Sequence, residues 1–429
     1  MKVGIIGYGT EGKASYDYWR KRGADITIFD ANPALAAPEG ARTVLGPEYL
    51  AELDGYDLLV RSPGVNPAHI KTSSPVTSAT REFFAQCPAP IIGVTGTKGK
   101  GTTSTLIAEI LKAVGKTVWL GGNIGRAGLE FLDEVTPTDV VVLELSSYQL
   151  VDLDRSPHIG VCLMIVPEHV LWHGSMDKYA AAKAAIARYQ MVGDVLVYHA
   201  HNQFSRQIAQ MSVAKRIPYL EAPGAYIQDN GVMMSGRQII PTQEVGLIGP
   251  HNLENICAAV TATRDYTNGH EPKLCDVLRS FKGLPNRLEV IRKVRGVVWV
   301  NDTFSVNPSA TAAAVASFDQ PKVLILGGFD RGLDFDGLAD AVSGSLIRGV
   351  VVMGETGPKI ASLLRDRGVL PIVDGGSTMP EIVAAAADLA KSGDVVLLSP
   401  GCASFGLFKD YQDRGRQFVA AVQALALGD

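Results

Sequence analysis

The chain has 429 residues, 46% of them hydrophobic and 20% charged, a composition typical of a soluble globular protein with two or three domains. Its formal net charge of −4 argues against nucleic acid or an anionic membrane surface as a partner. No apolar run approaches the roughly 20 residues that span a bilayer, and a strand directly after Met1 is unlike a signal peptide. Five cysteines without a C-x-x-C pair favour reduced thiols in a cytoplasm over a disulfide framework or a zinc site.

The first segment, residues 1–88, alternates predicted strands and helices. Its buried parallel strands are predicted at 3–6, 25–29 and 58–60. Residues 7–12 form a G-x-G-x-x-G turn between the first strand and a helix, while Asp30 and a Ser-Pro-Gly loop at 62–64 follow two other strands at the same sheet edge. Taken alone, the turn favours a dinucleotide-binding domain, although it suits any diphosphate, including that of a nucleotide sugar.

A stiff Pro-Ala-Pro joint at 88–90 leads into a strand, a Gly-rich turn and a helix within residues 91–105. Lys100 adds a cation to the turn, and the helix, predicted to open near Thr102, directs its partial positive charge to the same place. Four glycines are expected to let backbone N–H groups approach phosphate oxygens: Gly93, Gly96, Gly99 and Gly101. The sequence therefore predicts a polyphosphate-binding loop, with an ordinary Gly-rich turn as the alternative. Gly101 stands where the Walker pattern has Ser or Thr.

The rest of the second segment contains one conspicuous carboxylate. Glu144 lies in an apolar strand, and because an unpaired buried charge is costly it should face a cation or a polar cleft. Strands are predicted at 139–147 and 159–166, a hairpin at 224–240 and a helix at 253–267.

The third segment resumes the βα rhythm. Strands are predicted at 297–300, 322–326, 350–353, 372–373 and 395–398. Their ends carry Asn301-Asp302, Gly327-Gly328 and Ser399-Pro400, and ligands bind at such carboxyl edges. The predicted fold class is α/β, with three consecutive α/β lobes. These are a Rossmann-like N-terminal domain (1–88), a P-loop-type central ATPase domain (89–283) and a Rossmann-like C-terminal domain (284–429).

Several stretches together resemble the Mur ligase family of bacterial cell-wall enzymes, whose phosphate loop reads G-T-N-G-K-[ST]-T. Residues 96–102 read G-T-K-G-K-G-T, and the stretches 121–125 and 143–150 resemble the branch of the family that adds glutamate. Further matching stretches are 249–252, 283–287 and 398–404. The resemblance covers essentially the whole chain.

The resemblance implies an ATP-dependent ligase that adds D-glutamate to UDP-N-acetylmuramoyl-L-alanine through an acyl phosphate in peptidoglycan synthesis. It implies ATP and Mg²⁺ as cofactors, small molecules as the only partners, a monomer, and a bacterial cytoplasmic location. Lys100, His169 and Lys183 would be catalytic. Magnesium would be bound by Thr102, Glu144, His169 and Lys183, the lysine as a carbamate.

The resemblance also assigns three sets of binding residues. ATP would be bound by Gly96, Thr97, Lys98, Gly99, Lys100, Gly101, Thr102, Asn252, Asn255, Arg287 and Asp302. The UDP-sugar would be bound by Gly7, Tyr8, Gly9, Thr10, Asp30, Ser62, Gly64, Asn123, Ser146 and Gln149. The amino acid would be bound by Arg331, Ser404 and Phe408. From the residues alone, a structural histidine is the alternative for His169, and Lys183 is interpreted as a helical surface lysine.

Further departures from the family pattern are Leu171 in place of an aspartate, Phe304 in place of a lysine and Val306 in place of a threonine. The last two remove a cation and a hydroxyl from the expected glutamate pocket. Alternatives therefore stay open: a related ligase with another acceptor such as L-glutamate, or a folate-type polyglutamate ligase. An NAD-dependent oxidoreductase using residues 7–12 and a non-enzymatic nucleotide-binding regulator are the others.

Overall fold

The computed structural model describes residues 1–426. These form two compact units: Met1–Val245 with His251–Arg279, and Gly246–Pro250 with the chain from Ser280 onward. The described residues form three largely parallel sheets of five, six and six strands and a small antiparallel sheet, which confirms the predicted α/β class. The domain boundaries at 88/89 and 283/284 remain predictions. No helix in the described part of the chain has the length and hydropathy needed to cross a membrane.

The first sheet lies in the first unit. Its strands are β1 (Lys2–Ile6), β2 (Asp25–Asp30), β3 (Arg42–Leu45), β4 (Leu58–Arg61) and β5 (Val76–Ser78), and its helices are α1 (Thr10–Lys21) and α2 (Ala79–Gln86). The strand order is β3-β2-β1-β4-β5, and every pairing is parallel. The carboxyl ends of β1, β2 and β4 therefore meet at one edge, with the predicted glycine-rich turn between β1 and α1.

The second sheet also lies in the first unit. Its strands are β6 (Ile91–Thr95), β7 (Val118–Gly122), β8 (Val140–Glu144), β9 (Ile159–Cys162), β10 (Val195–His199) and β11 (Lys215–Tyr219). The helices between and after them are α3 (Lys100–Ala113), α4 (Gly128–Phe131), α5 (Ser147–Leu150), α6 (Val170–His173), α7 (Met176–Lys183), α8 (Ala185–Arg188), α9 (Gln203–Ala209), α10 (Pro250–Thr267) and α11 (Glu271–Ser280). The parallel order β11-β10-β9-β6-β8-β7 puts β6 near the centre, where all its residues are buried.

Several predicted bounds in this segment are wrong. The helix after the phosphate loop opens at Lys100, two residues before Thr102. The strand predicted at 139–147 ends at Glu144, since Ser147 starts α5, and the one predicted at 159–166 ends at Cys162. The predicted hairpin is a three-stranded antiparallel sheet of β12 (Tyr226–Gln228), β13 (Gly231–Met234) and β14 (Arg237–Pro241).

Gly93 is also corrected. It lies inside β6, and a Cβ at this position would press against Pro157, Leu145 and Ile186. Its small size therefore serves packing of the core, and the phosphate loop begins only at Gly96.

The third sheet lies in the second unit. Its strands are β15 (Glu289–Val294), β16 (Val297–Asn301), β17 (Lys322–Gly327), β18 (Ile347–Met353), β19 (Ile372–Asp374) and β20 (Val395–Leu398). Its helices are α12 (Pro308–Val315), α13 (Asp336–Ser343), α14 (Gly357–Asp366), α15 (Met379–Leu389) and α16 (Tyr411–Ala424). The order is β15-β16-β20-β17-β18-β19, and only β15, which was not predicted, runs antiparallel to its neighbour. The carboxyl ends of β16, β17 and β20 share one edge.

Candidate active site

The predicted phosphate loop connects β6 to α3. Gly99 caps the helix with a left-handed φ of +83°, and a Cβ there would collide with the Asn255 side chain, so the position requires glycine. No side chain caps α3, and the first N–H groups of a helix have no partner within it. The loop therefore presents backbone donors and the positive end of a helix to an anion.

Two lysine ammonium groups converge on one carbonyl of this loop. Lys100 Nζ donates to the carbonyl oxygens of Gly96 at 3.2 Å and Thr97 at 2.9 Å. Lys183 Nζ, at the end of α7, donates to the same Gly96 oxygen at 2.9 Å. Lys183 is only 1% exposed, so its interpretation as a surface lysine is wrong. The structure thus brings two of the predicted catalytic residues together.

This environment changes the chemistry of Lys183. Burial, and then the neighbouring Lys100 charge, lower the pKa of Lys183 to about 7. The ammonium also lies 4.7 Å from the centre of the Tyr179 ring. Near neutral pH a substantial fraction of this lysine is therefore the neutral amine, which is a nucleophile toward electrophiles such as carbon dioxide.

Glu144 lies at the carboxyl end of β8, beside the strand that leads into the loop. It is 6% exposed, and its Oε1 accepts a hydrogen bond from Asn123 Nδ2 at 2.8 Å, so this buried carboxylate has a polar partner as expected. Its negative charge acts on Lys183 in the direction of a higher pKa. Thr102, in the first turn of α3, is also buried.

The loop after β9 carries two histidines. His169 precedes α6 with a left-handed φ of +55°, and burial lowers its pKa. His173 is buried, its Nε2 lies 3.0 Å from Ser147 Oγ, and burial followed by the Lys183 charge lowers its pKa to about 4. His173 was not predicted as a site residue, although its spacing of four from His169 was a usable signal. Leu171 between them is fully exposed.

Two asparagines of α10 lie against the phosphate loop. Thr103 Oγ1 donates to Asn255 Oδ1 at 3.4 Å, and Asn255 Nδ2 donates to Asn252 Oδ1 at 2.9 Å. Asn255 therefore supports the turn at Gly99. Lys98, on the exposed side of the loop, pairs with Glu168 at 3.5 Å.

A cavity of about 510 Å³ opens at the carboxyl edge of the first sheet. Eight of the residues predicted to bind the UDP-sugar line it: Gly7, Tyr8, Gly9, Thr10, Asp30, Ser62, Gly64 and Asn123. Asp30 Oδ2 accepts from the Tyr8 backbone N–H at 2.7 Å and Oδ1 from that of Asn32 at 2.8 Å, so this carboxylate shapes the cavity wall. Glu11 lines the same cavity and was not predicted.

Ser146 and Gln149 do not line this cavity; they form a capping box at the start of α5. Gln149 Nε2 then donates to Glu11 Oε1 at 2.5 Å, which connects α5 to the glycine-rich turn after β1. The other Glu11 oxygen is buried without a hydrogen-bond partner, and burial raises the pKa of Glu11 to about 7.

In the second unit, Asp302 follows β16 and is 4% exposed. Its carboxylate accepts from Ser399 Oγ at 2.7 Å and from the Leu288 backbone N–H at 3.2 Å, while burial raises its pKa to about 6. The Arg287 guanidinium lies 4.0 Å from the centre of the Phe304 ring. Both predicted ATP ligands of this unit therefore belong to one cluster at the end of β16.

The predicted amino-acid ligands lie in the neighbouring loops. Arg331 is exposed and its guanidinium lies 5.5 Å from the Phe405 ring centre, whereas Ser404 is buried. The Phe408 ring packs in the core, and its backbone N–H donates to the Ser404 carbonyl at 3.1 Å.

Arg414, at the start of α16, was not predicted and is fully buried. Its Nε donates to Thr303 Oγ1 at 2.7 Å, and its other nitrogens donate to the carbonyls of Thr303 and Cys402. Its hydrogen bonds thereby connect the loop after β16 to the loop after β20.

Two family models match this chain: the Mur ligase middle domain over residues 94–263, and the Mur ligase glutamate ligase domain over residues 286–402. The UDP-N-acetylmuramoylalanine–D-glutamate ligase of Clostridium kluyveri is 34% identical, over 98% of this chain and 96% of its own. The same ligase of Symbiobacterium thermophilum is 35% identical, over 99% of this chain and 98% of its own. The chain belongs to the Mur ligase family.

Solved structures agree on the fold of this Mur ligase. The UDP-N-acetylmuramate-alanine ligase of Thermotoga maritima superposes with a TM-score of 0.63 at 18% identity, over 99% of both chains. E. coli FolC in complex with ADP superposes with a TM-score of 0.56 at 19% identity, over 81% of this chain and 93% of the FolC chain. At these identities the likeness shows the fold alone.

Membership of the family makes this chain an ATP-dependent peptide ligase of peptidoglycan synthesis, which confirms the predicted reaction class. The interpretations of residues 7–12 as an NAD site of an oxidoreductase, and of the chain as a non-enzymatic regulator, are therefore not supported. Which residues of this Mur ligase bind which substrate remains a prediction.

The buried Glu11 carboxyl gives this Mur ligase a testable pH dependence. Since the folded pKa of about 7 lies above the unfolded value near 4.5, the native state holds the extra proton. The stabilisation is therefore greatest at low pH and is lost as the pH rises toward 7. Between pH 5 and pH 8, the unfolding free energy of the wild type should fall by about 2 kcal/mol relative to Glu11→Gln.

Urea titrations at both pH values measure this difference. Glu48→Gln, which changes an exposed carboxylate of the same lobe, is the control and should track the wild type. A constant difference between wild type and Glu11→Gln across this range would show that Glu11 does not titrate there.

Proposed function

We propose that this Mur ligase joins D-glutamate to UDP-N-acetylmuramoyl-L-alanine, using ATP and Mg²⁺, as a monomer in the bacterial cytoplasm. The position of Lys100 Nζ on the Gly96 and Thr97 carbonyls at the opening of α3 carries the proposal, because it places a positive charge where a polyphosphate would lie. The full-length relatives named for this reaction, 33–35% identical, support the substrates.

In the proposed reaction, the alanine carboxylate of the UDP-sugar attacks the γ-phosphorus of ATP, and ADP leaves. The glutamate amine then attacks the acyl phosphate carbon; the C–O bond to phosphate breaks, and the new amide loses a proton. Such chemistry depends mainly on positioning and on neutralising charge. Lys100 and the N–H groups at the start of α3 would hold the phosphates, and Asn255 would keep the turn at Gly99 in place.

The proposed magnesium site depends on modification of Lys183. Among residues 1–426, no three His, Cys, Asp or Glu side chains converge as a metal site. Unmodified, Lys100 and Lys183 place positive charge beside the single carboxylate of Glu144. This positive charge would repel a divalent cation. A carbamate on Lys183 would replace one cation by an oxygen-donor anion, and with Glu144 and the Thr102 hydroxyl it would match the preference of Mg²⁺ for oxygen.

His169 would complete that donor set. Bound Mg²⁺ would neutralise the charge that develops on the phosphoryl oxygens. Burial keeps His169 neutral near pH 7 by lowering its pKa, which leaves a ring nitrogen able to bind a metal.

The cavity of the first lobe would bind the UDP-sugar. Its volume of about 510 Å³ suits a ligand of that size, and the glycine-rich turn at 7–12 supplies backbone donors for the diphosphate. Asn123 lines this cavity and also contacts Glu144, so it would lie between the sugar and the phosphate loop. Ser146 and Gln149 would affect UDP-sugar binding indirectly, by holding the glycine-rich turn at 7–12 in place, since Gln149 donates to Glu11 in that turn.

Arg331 would bind a carboxylate of the incoming glutamate, with Ser404 in the pocket and Phe408 supporting Ser404 from the core. A guanidinium can take both oxygens of one carboxylate, so Arg331→Ala should raise the glutamate KM by about tenfold or more. The KM values for ATP and the UDP-sugar should change little. Steady-state kinetics with each substrate varied in turn measures this; equal changes in all three KM values would contradict the assignment.

Phosphate release with ATP, UDP-N-acetylmuramoyl-L-alanine and a panel of D- and L-amino acids tests the function as a whole. Release that depends on both the UDP-sugar and D-glutamate is the expected result. Preference for another amino acid, such as L-glutamate, is the second candidate, because Phe304 and Val306 lack the cation and hydroxyl expected in the D-glutamate pocket. Release without any amino acid would contradict both.

A further inference from the structure

The cluster at the end of β16 is built on two loops that are tied together by hydrogen bonds. The Phe304 backbone N–H donates to the Asn286 carbonyl at 3.0 Å, and Asn301 Nδ2 donates to Asn286 Oδ1 at 2.9 Å. The Leu288 backbone N–H donates to Asp302 at 3.2 Å. These hydrogen bonds lie next to Arg287 on one loop and Phe304 on the other. They therefore fix the backbone from which both side chains project.

On this frame the Arg287 guanidinium carbon lies 4.0 Å from the centre of the Phe304 ring, which is within cation–π range. Tyr411 supports the ring with an edge contact at 5.3 Å and 89°. Phe304 is nevertheless 40% exposed, which is unusual for a large apolar side chain that only fills a core. Its ring contacts the Arg287 guanidinium and Tyr411, so it can serve as a platform for the arginine.

We propose that Phe304 is a positioning residue that holds Arg287 over its ring, so that the guanidinium is presented to an anionic group, the phosphates of ATP. This rests on the proposed function, in which Arg287 binds ATP. The neighbouring Asp302 carboxylate attracts Arg287, because the arginine charge acts to lower the pKa of Asp302. Arg287 is thus oriented by an aromatic face and an acid together.

The arrangement also gives a reason for phenylalanine at a position where the family resemblance implies lysine. A lysine there would offer no ring face to the Arg287 guanidinium. In this chain the cation of the cluster is therefore Arg287 itself.

A double-mutant cycle on ATP binding by the full chain tests the proposal. Phe304→Leu should raise the ATP KM about fivefold, the order of one cation–π contact, while Phe304→Trp stays within about twofold of wild type. Arg287→Ala should raise the ATP KM further. In the Arg287→Ala background, Phe304→Leu should have no additional effect, because the group that it positions is absent.

Leu346→Ala is the control, since it removes another exposed apolar side chain of the same unit outside the cluster; its ATP KM should match the wild type. Independent effects of Phe304→Leu and Arg287→Ala would overturn the proposal, as would a Phe304→Trp variant as poor as Phe304→Leu. If the wild type shows no ligase turnover, the proposed function fails. The same cycle is then measured as the shift in melting temperature caused by ATP, where coupling between the two residues still supports the positioning role and additivity still overturns it.

Discussion

Lys100→Ala is expected to lower turnover by at least about 100-fold, the scale on which loss of one preorganised charge-stabilising donor acts. The Nζ atom lies at the opening of α3, within 3.2 Å of two loop carbonyls, where the transferred phosphoryl would pass. Since the cavity of the first lobe is lined by other residues, the Kd for the UDP-sugar should not change. Phosphate release together with calorimetric titration of the UDP-sugar measures both quantities.

Lys112→Ala is the control for this substitution. Lys112 lies in the last turn of the same helix, is exposed and pairs with Glu109, so its removal should leave turnover unchanged. A Lys100→Ala variant that keeps near wild-type turnover would make Lys98 the candidate for the phosphoryl-binding lysine, even though the structure shows Lys98 paired with Glu168 on the exposed side of the loop.

The phosphate loop could be predicted because its parts are adjacent in the sequence. Strand, glycines, lysine and helix follow one another within residues 91–105, and local chemistry dictates what each does. The detailed errors have a common cause: Gly93 looks like part of the loop, but its size is dictated by Pro157 and Ile186, which are distant in sequence. Periodicity alone also cannot locate an edge strand such as β15, whose residues do not alternate regularly between buried and exposed.

The residues that were missed derive their roles from tertiary partners. Glu11 looks like an ordinary first-turn acid of α1 until Gln149, 138 positions away, donates to it. In the sequence, Arg414 looks like an ordinary helical arginine. Only the fold brings it within hydrogen-bond distance of Thr303 and Cys402. Lys183 was assigned by resemblance, but its burial, which gives the assignment its physical meaning, was not visible in the sequence.

Lys183→Ala is expected to reduce turnover by about 100-fold or more, because it removes the anion that would complete the magnesium site. Added formate or acetate should recover part of the activity by occupying the space of the lost carbamate. Lys183→Arg should be inactive and not rescued, since a guanidinium stays protonated and cannot form a carbamate. Lys178→Ala, an exposed lysine of the same helix, should behave as the wild type.

The pH dependence gives this prediction a second readout. Carbon dioxide reacts with the neutral amine, and the folded pKa of Lys183 near 7 means that the neutral form gains population as the pH rises through 7. Wild-type enzyme depleted of bicarbonate should therefore lose activity and regain it on addition of bicarbonate, more completely at pH 8 than at pH 6. Native mass spectrometry should show the added mass of one carbon dioxide on the wild type and not on Lys183→Ala. An unmodified Lys183 in a fully active, bicarbonate-free enzyme would contradict the carbamate and leave Lys183 as a second phosphate-binding cation.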